Sequence, residues 1–188
     1  MKKFEIGVIY PEAGYKQMID RFPCSGIKKH DKVFCIKHIS GKENIPSLKK
    51  IIRGNATWSI DGDEFIIALE GDKRIGFLSY NCEDVTAQNM LEEGLFVEIN
   101  VDLAYIIPKY RKMGISNLFI LALSDILWDK IIALSKSQKK RKVTLMVTGD
   151  IQSNRGEQFF KDLIWHLEGF REMLKDYKKI NLEIEHYT

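Results

Sequence analysis

The residues best suited to chemistry lie in a short stretch, 106–116, where charged residues and a glycine separate two apolar runs. Its cations are Lys109, Arg111 and Lys112. Pro108 cannot donate to a sheet ladder, so a preceding strand must end there. Gly114 permits close approach of a ligand to the backbone, and a helix beginning near Ile115 offers unpaired N–H groups and a positive dipole end. Such a strand, turn and helix N-terminus predict an anion site, and phosphate is its usual ligand.

The order of residues narrows the class of phosphate ligand. The chain has neither the GxxxxGK[ST] motif of a P-loop nor the GxGxxG motif of a dinucleotide site. Instead, Arg111-x-x-Gly114-x-Ser116 follows Pro108-x-Tyr110. This resembles the pyrophosphate loop of the GNAT superfamily of acyl-CoA-dependent N-acyltransferases, with Ser116 where the family usually has Gly or Ala. The run DEFIIALEGDKRIGFLSY resembles the second and third strands of the family, so the resemblance covers about half of the chain, residues 63–160.

The resemblance implies that acetyl-CoA (or CoA) is the cofactor. The strand at 104–106 would pair with the pantetheine arm, and backbone N–H groups at 112–117 would hold the pyrophosphate. A backbone amide on that strand would polarise the thioester carbonyl as its oxygen becomes negative. The implied cofactor-binding residues are Ala104, Tyr105, Ile106, Arg111, Lys112, Met113, Gly114, Ile115, Ser116 and Asn117.

The strand at 95–107 carries the candidates for the general base. Leu95, Val97, Ile99, Val101 and Leu103 share its apolar face. The other face carries Glu98, Asn100 and Asp102, about 6.8 Å apart in sequence order. In the histone-acetylating branch of the family a glutamate on this strand is the base, and counting back from Arg111 puts Asn100 at that position. We therefore predict Glu98 or Asp102 as the catalytic base, with a solvated sheet face as the alternative.

The general acid has no evident residue. Many family members carry a tyrosine on the helix after the next strand, whereas this chain has Phe159 and Phe160 there. For the base, Asp150 is a further candidate, because it lies close to Thr148 at the end of that strand. The Gly-Phe pair typical of the family comes late, at Gly169-Phe170, so the C-terminal third differs from the family pattern.

Three functions remain open from the sequence. The first is transfer of an acetyl group from acetyl-CoA to a primary amine of a small molecule or protein. The second is a nucleic-acid-directed acyltransferase, for example on aminoacyl-tRNA, that uses the basic segment KSQKKRK at 136–142. The alternative for this segment is a solvated loop or a contact to the 3′-phosphate of the cofactor. The third function is a non-catalytic CoA-binding module. The sequence is compatible with either a monomer or an oligomer.

Composition excludes few other classes of protein. The net charge of +3 neither demands nor excludes an anionic partner. Cys24, Cys35 and Cys82 form no CxxC pair, and the four histidines lack metal-ligand spacing. We therefore expect thiols in a reducing cytoplasm and no metal site. Charges within 115–134 argue against a membrane span there.

The periodicity of apolar residues predicts the elements. Strands are expected at 4–10, 33–39, 95–107, 143–149 and 180–187, a hairpin at 64–70 and 74–80, and helices at 15–21, 46–52, 115–134 and from 155 through at least 163. These elements predict one GNAT-like domain over 1–188, with residues 1–31 as an N-terminal extension that is hard to interpret. The fold class is α+β, a three-layer arrangement in which helices cover both faces of a mixed, mostly antiparallel sheet.

Overall fold

The computed structural model describes residues 6–9, 17–19, 34–52, 59–88 and 93–187, of which 6–9 and 17–19 are described by backbone alone. The strands are β1 Ile6–Ile9, β2 Gln17–Ile19, β3 Cys35–Ser40, β4 Glu64–Glu70, β5 Lys73–Asp84, β6 Leu95–Ile106, β7 Lys142–Gly149 and β8 Asn181–Tyr187. The helices are α1 Ile45–Lys49, α2 Ile115–Ser137 and α3 Asn154–Met173. Short 3₁₀ turns cover Lys42–Asn44, Thr86–Gln88 and Pro108–Tyr110, and a π turn covers Leu174–Lys178.

The residues group into two compact units. The first unit contains residues 1–79 and 103–122, and the second contains 80–102 and 123–188. Three elements, β5, β6 and α2, have residues in both units. The expectation of a single domain over 1–188 stays a prediction.

In the first unit the strand order is β2-β1-β3-β4-β5-β6. β1 pairs antiparallel with β2 and parallel with β3, and β3 pairs antiparallel with β4. β4 and β5 form the predicted hairpin, whose two-residue connection starts at Gly71 with a left-handed φ of 58°. The core is built by the start of α2 and by strand residues, which are buried consecutively in the middle of β4 and β5. Its buried members include Phe34, Ile36, Leu48, Phe65, Ile67, Ile75, Phe77, Ile115, Leu118 and Phe119.

In the second unit the order is β5-β6-β7-β8, and β6, β7 and β8 are parallel. β7 is almost continuously buried, as a strand covered on both faces should be. α3 begins at the N-cap Ser153, whose hydroxyl oxygen accepts a hydrogen bond from the N–H of Gly156 at 3.1 Å. Its apolar stripe faces inward through Phe160, Leu163 and Leu167.

The predicted α+β class with a mixed sheet is confirmed, and most elements lie within two or three residues of their predicted bounds. The helix predicted at 15–21 is wrong, because Gln17–Ile19 forms a strand paired with β1. A three-residue strand owes its conformation to its partner strand more than to its own propensity. Cys24 and His30 lie outside the described residues.

Candidate cofactor site

The C-terminal part of β6, residues 103–106, is fixed against β5. The N–H of Ile107 donates to the carbonyl of Ile75 at 2.9 Å. A Cβ placed on Gly76 would lie 2.7 Å from the carbonyl oxygen of Tyr105, which is closer than a real Cβ tolerates. Glycine at this position therefore lets the two backbones approach. The Tyr105 side chain is buried and packs near Phe77, with ring centroids 6.1 Å apart.

In the part of the first unit that the structure describes, no strand lies beside the opposite edge of this segment, because β6 is last in the order. The paired register of β6 with β7 ends at Val101, opposite Gly149. Because successive residues of a strand turn their N–H and C=O groups to alternate sides, and the carbonyl of Tyr105 faces β5, the groups of Ala104 and Ile106 face the open edge. An extended ligand can add its own amides to such an edge.

A tight turn follows β6. The N–H of Tyr110 donates to the carbonyl of Ile107 at 2.9 Å, and the N–H of Arg111 donates to that of Pro108 at 3.2 Å. Lys112 and Gly114 then adopt left-handed φ values of 63° and 78°. Turns of this kind direct backbone N–H groups into anion-binding concavities. The guanidinium of Arg111 folds back, and its Nε donates to the carbonyl of Ile106 at 3.0 Å.

Tyr110 anchors the turn to the rest of the first unit. Its side chain is 1% exposed, and its hydroxyl donates a hydrogen bond to the carboxylate of Glu70 at the end of β4. Phe34 meets its ring edge-on at 6.4 Å, and Lys109 Nζ lies 4.7 Å from the ring centroid. The motif includes Tyr110, but its partner Glu70 is 40 residues away, so no local sequence pattern predicts this contact.

The helix α2 starts where the motif predicts. Its first backbone hydrogen bond runs from the N–H of Leu118 to the carbonyl of Gly114, at 3.2 Å. Among the described residues, the backbone N–H groups of Ile115, Ser116 and Asn117 have no hydrogen-bond partner. These groups carry the partial positive charge of the helix N-terminus, and the exposed side chains of Arg111 and Lys112 add to it. The first unit thus brings all ten predicted cofactor-binding residues into one continuous segment with chemistry that suits a pyrophosphate.

The predicted base residues lie in the second unit, on the part of β6 that pairs with β7. Glu98 is half-buried opposite Met146, and among the described residues its carboxylate makes no hydrogen bond or ion pair. Asp102 is also half-buried, one residue past the last pair with β7, whereas Asn100 between them is exposed. Four strand residues span about 13 Å, so the two carboxylates cannot both reach the same acceptor nitrogen.

The residues after β7 and at the start of α3 occupy the positions considered for a further base and a general acid. Asp150 is exposed and accepts a hydrogen bond from the side-chain amide of Gln152 at 2.8 Å. Phe160 is buried, and its ring lies 3.1 Å from the position that a Cβ on Gly149 would occupy, so it is a packing residue. Phe159 is half-buried. No hydroxyl replaces the family's tyrosine at either position.

One raised pKa falls outside the predicted site, on α2. Burial, together with the nearby carboxylate of Asp129, raises the pKa of Asp125 to about 6. Burial also lowers the pKa of His166 on α3. Within the described part of the chain, no cluster of His, Cys, Asp or Glu is arranged to hold a metal ion. No helix in those same residues has the length and apolar character needed to cross a membrane.

Comparison with known proteins gives similarity of fold. No protein-family model and no curated protein matches the chain. The ribosomal-protein-alanine N-acetyltransferase from Brucella melitensis biovar Abortus 2308 is 15% identical, with 69% of this chain and 90% of that chain covered and a TM-score of 0.40. AtaT complexed with acetyl-methionyl-tRNAfMet is 9% identical, with 69% and 85% covered and a TM-score of 0.39.

Proposed function

We propose that this chain is an N-acetyltransferase that binds acetyl-CoA and transfers the acetyl group to a primary amine of a small molecule or protein. The observation that carries the proposal is the continuous segment 104–117. With respect to the residues that the structure describes, it contains a strand edge left open in the first unit, a turn with two left-handed residues and a helix N-terminus with three unpartnered N–H groups. An extended ligand with amides at one end and a pyrophosphate at the other fits this order of groups.

The roles of the residues follow from the chemistry that the cofactor supplies, an acetyl group activated as a thioester. The open-edge groups of Ala104 and the N–H of Ile106 pair with the amides of the pantetheine arm, and an N–H on this edge donates to the thioester carbonyl oxygen as it gains charge. The N–H groups from Lys112 to Asn117 bind the pyrophosphate. Arg111 holds the carbonyl of Ile106 and so fixes the junction between the edge and the turn.

The acceptor amine must lose a proton before it can attack. An alkylamine has a pKa near 10.4 and is protonated at neutral pH, so a carboxylate on the polar face of β6 takes the proton, directly or through water. We assign this role to Glu98 or Asp102, with Asp150 as the remaining candidate. The departing thiolate, whose conjugate thiol has a pKa near 8.5, takes a proton from water, since Phe159 and Phe160 provide none.

Mass spectrometry of reaction mixtures tests this proposal. The protein is incubated with acetyl-CoA and a panel of alkylamines, amino acids and lysine- or N-terminus-bearing peptides. We expect at least one amine to gain an acetyl group, and Gly114→Val to abolish the gain. Tight binding of acetyl-CoA without transfer to any amine would replace the enzyme with the non-catalytic CoA-binding module.

A further inference from the structure

A second chemically distinct surface lies at one end of the second unit, where two connections run side by side. One connection, 136–142, leads from the end of α2 into β7, and the other, 175–179, leads from α3 into β8. Lys142 is paired with Asn181 at the start of the β7–β8 ladder. The N–H of Asn181 donates to the carbonyl of Arg141 at 2.8 Å. The two segments are therefore neighbours in space, and we call them together the basic end.

The basic end concentrates the positive charge of the chain. It carries eight cations, Lys136, Lys139, Lys140, Arg141, Lys142, Lys175, Lys178 and Lys179, and one carboxylate, Asp176. The net charge of the whole chain is only +3. The rest of the chain is therefore net negative, so the positive charge is segregated onto this surface. Segregation of this kind is the electrostatic signature of a polyanion-binding face.

These cations are largely uncompensated within the protein. Lys142 pairs with Glu183 across the β7–β8 ladder at 3.5 Å, and both side chains are about half exposed. Within the residues that the structure describes, the other seven cations form no ion pair. Like charges on neighbouring segments repel one another within a Debye length, about 8 Å at physiological ionic strength. Their clustering costs stability unless an anion is bound.

Attraction to the helix dipoles accounts for only part of this charge. Cations are stabilised in the last turn of a helix, and the effect falls off beyond it. Lys136 lies in the last turn of α2, but Arg141 lies after the helix and Lys142 is the first residue of β7. Positive charge continues into the strand, where the dipole does not explain it.

The backbone of both segments is held in place. α2 ends in a Schellman motif, in which the N–H of Lys140 donates to the carbonyl of Ser135 at 3.1 Å and Lys139 has a left-handed φ of 54°. Lys179 occupies the equivalent left-handed position after α3, with a φ of 56°. Glycine or asparagine is usual at such positions, whereas here each carries a cation. The side-chain amide of Gln138 also donates to the carboxylate of Asp84 at 2.7 Å.

We propose that the basic end binds the phosphate backbone of a nucleic acid. Exposed lysine and arginine side chains on a fixed backbone neutralise phosphates without base contacts, which gives sequence-independent binding. A lipid surface fits less well, because interfacial segments add apolar side chains to their cations. The exposed large apolar side chains that the structure describes, Trp165 and Tyr187, lie in neither segment. This proposal does not depend on the transfer of an acetyl group.

The test is fluorescence anisotropy with a labelled 20-nucleotide RNA and a labelled 20-base-pair DNA, titrated with the full chain at 50–200 mM KCl. The variant Arg141→Gln/Lys178→Gln removes one cation from each segment. The control Lys49→Gln/Lys50→Gln makes the same change in net charge at two exposed lysines of the first unit. We expect the first variant to bind roughly tenfold more weakly and the slope of log K against log salt to fall by about 1–2, with the control unchanged.

Four results would overturn the proposal. The first is absence of binding to either nucleic acid at 50 mM KCl. The second is an equal loss of affinity in both double variants, which would assign binding to net charge alone. The third is loss of acetyl-CoA affinity in Arg141→Gln/Lys178→Gln with nucleic-acid binding intact, which would assign the surface to the 3′-phosphate of the cofactor. Binding to vesicles of anionic lipid without binding to RNA or DNA would also exclude it.

Discussion

Tyr110 fixes the turn of the candidate cofactor site at two points. Its ring fills the core of the first unit against Phe34, and its hydroxyl donates to the carboxylate of Glu70. The left-handed residues Lys112 and Gly114 follow directly, so their geometry depends on how firmly Tyr110 is held. A side chain that binds no ligand itself can in this way set the position of the backbone N–H groups that do.

Removal of the Tyr110 hydroxyl should therefore weaken both folding and cofactor binding. We expect Tyr110→Phe to lose ~1–2 kcal/mol of unfolding free energy, because the carboxylate of Glu70 loses the hydrogen bond that the buried hydroxyl donates. Acetyl-CoA affinity should fall as well. Tyr187→Phe is the matched control, since Tyr187 is exposed and donates to Glu185 at 3.0 Å. Urea unfolding and calorimetric titration measure the two effects, and equal behaviour of both variants would contradict the anchoring role.

Asp125 gives a pH-dependent prediction. A carboxyl group with a raised pKa binds its proton more tightly in the folded than in the unfolded state, so stability falls as pH rises from 3.8 to about 6. The full shift corresponds to ~3 kcal/mol, and solvent screening of this half-buried group reduces it to about 1 kcal/mol. At pH 7.5 we expect Asp125→Asn to melt about 2–4 °C higher than the wild type.

The same comparison at pH 4.5 provides the control, because there the Asp125 carboxyl keeps its proton in the folded protein, and the gain should fall to about a third of its value at pH 7.5. Asp129→Asn should give a smaller gain at pH 7.5, since it removes only the second cause of the shift. Melting differences that are the same at both pH values would show that the effect comes from packing and not from the charge.

At the scale of elements, the two parts of β6 have different neighbours. Its first seven residues, 95–101, pair with β7, and its last residues lie beside β5 with the other edge open in the first unit. Alternation along the strand put Glu98, Asn100 and Asp102 on one predicted face, and their greater exposure than that of the buried Val97 and Ile99 agrees with it. Periodicity could not indicate where β7 stops pairing, because register depends on a strand whose paired residues lie 48 positions later in the chain.

Substitution of the two acidic residues of β6 tests which of them is the general base. We expect Glu98→Gln or Asp102→Asn, but not both, to lower turnover with the best amine by a factor on the order of 10²–10⁴ while acetyl-CoA affinity stays unchanged. Asn100→Ala, at the exposed position between them, should leave turnover unchanged. Release of CoA followed with a thiol reagent gives the rates. Full turnover in both acidic variants would move the role to water or Asp150.

At the scale of the whole molecule, the sequence predicted the secondary-structure elements after residue 34 better than those of the first thirty residues. The elements from β3 onward have strong periodicity and clear breakers, so their types and order are confirmed. Residues 17–19 form a strand because β1 lies beside them, which local pattern cannot reveal. Of the basic end, the sequence shows only the segment 136–142, for which a solvated loop, a cofactor contact and a nucleic-acid contact all remained open. The second segment, 175–179, joins it only through the pairing of β7 with β8.

The central claim is that residues 104–117 bind acetyl-CoA, and calorimetric titration of the protein with acetyl-CoA tests it most directly. We expect saturable binding by the wild type, with a Kd on the order of 1 µM–1 mM. Gly114→Val should abolish it, because valine resists a φ of 78° and blocks ligand approach to the backbone. Gly71→Val is the control, since Gly71 has a φ of 58° with no atoms near its Cβ position, and it should bind as the wild type does. Absence of binding by the wild type at millimolar acetyl-CoA, or unchanged binding by Gly114→Val, would contradict the claim.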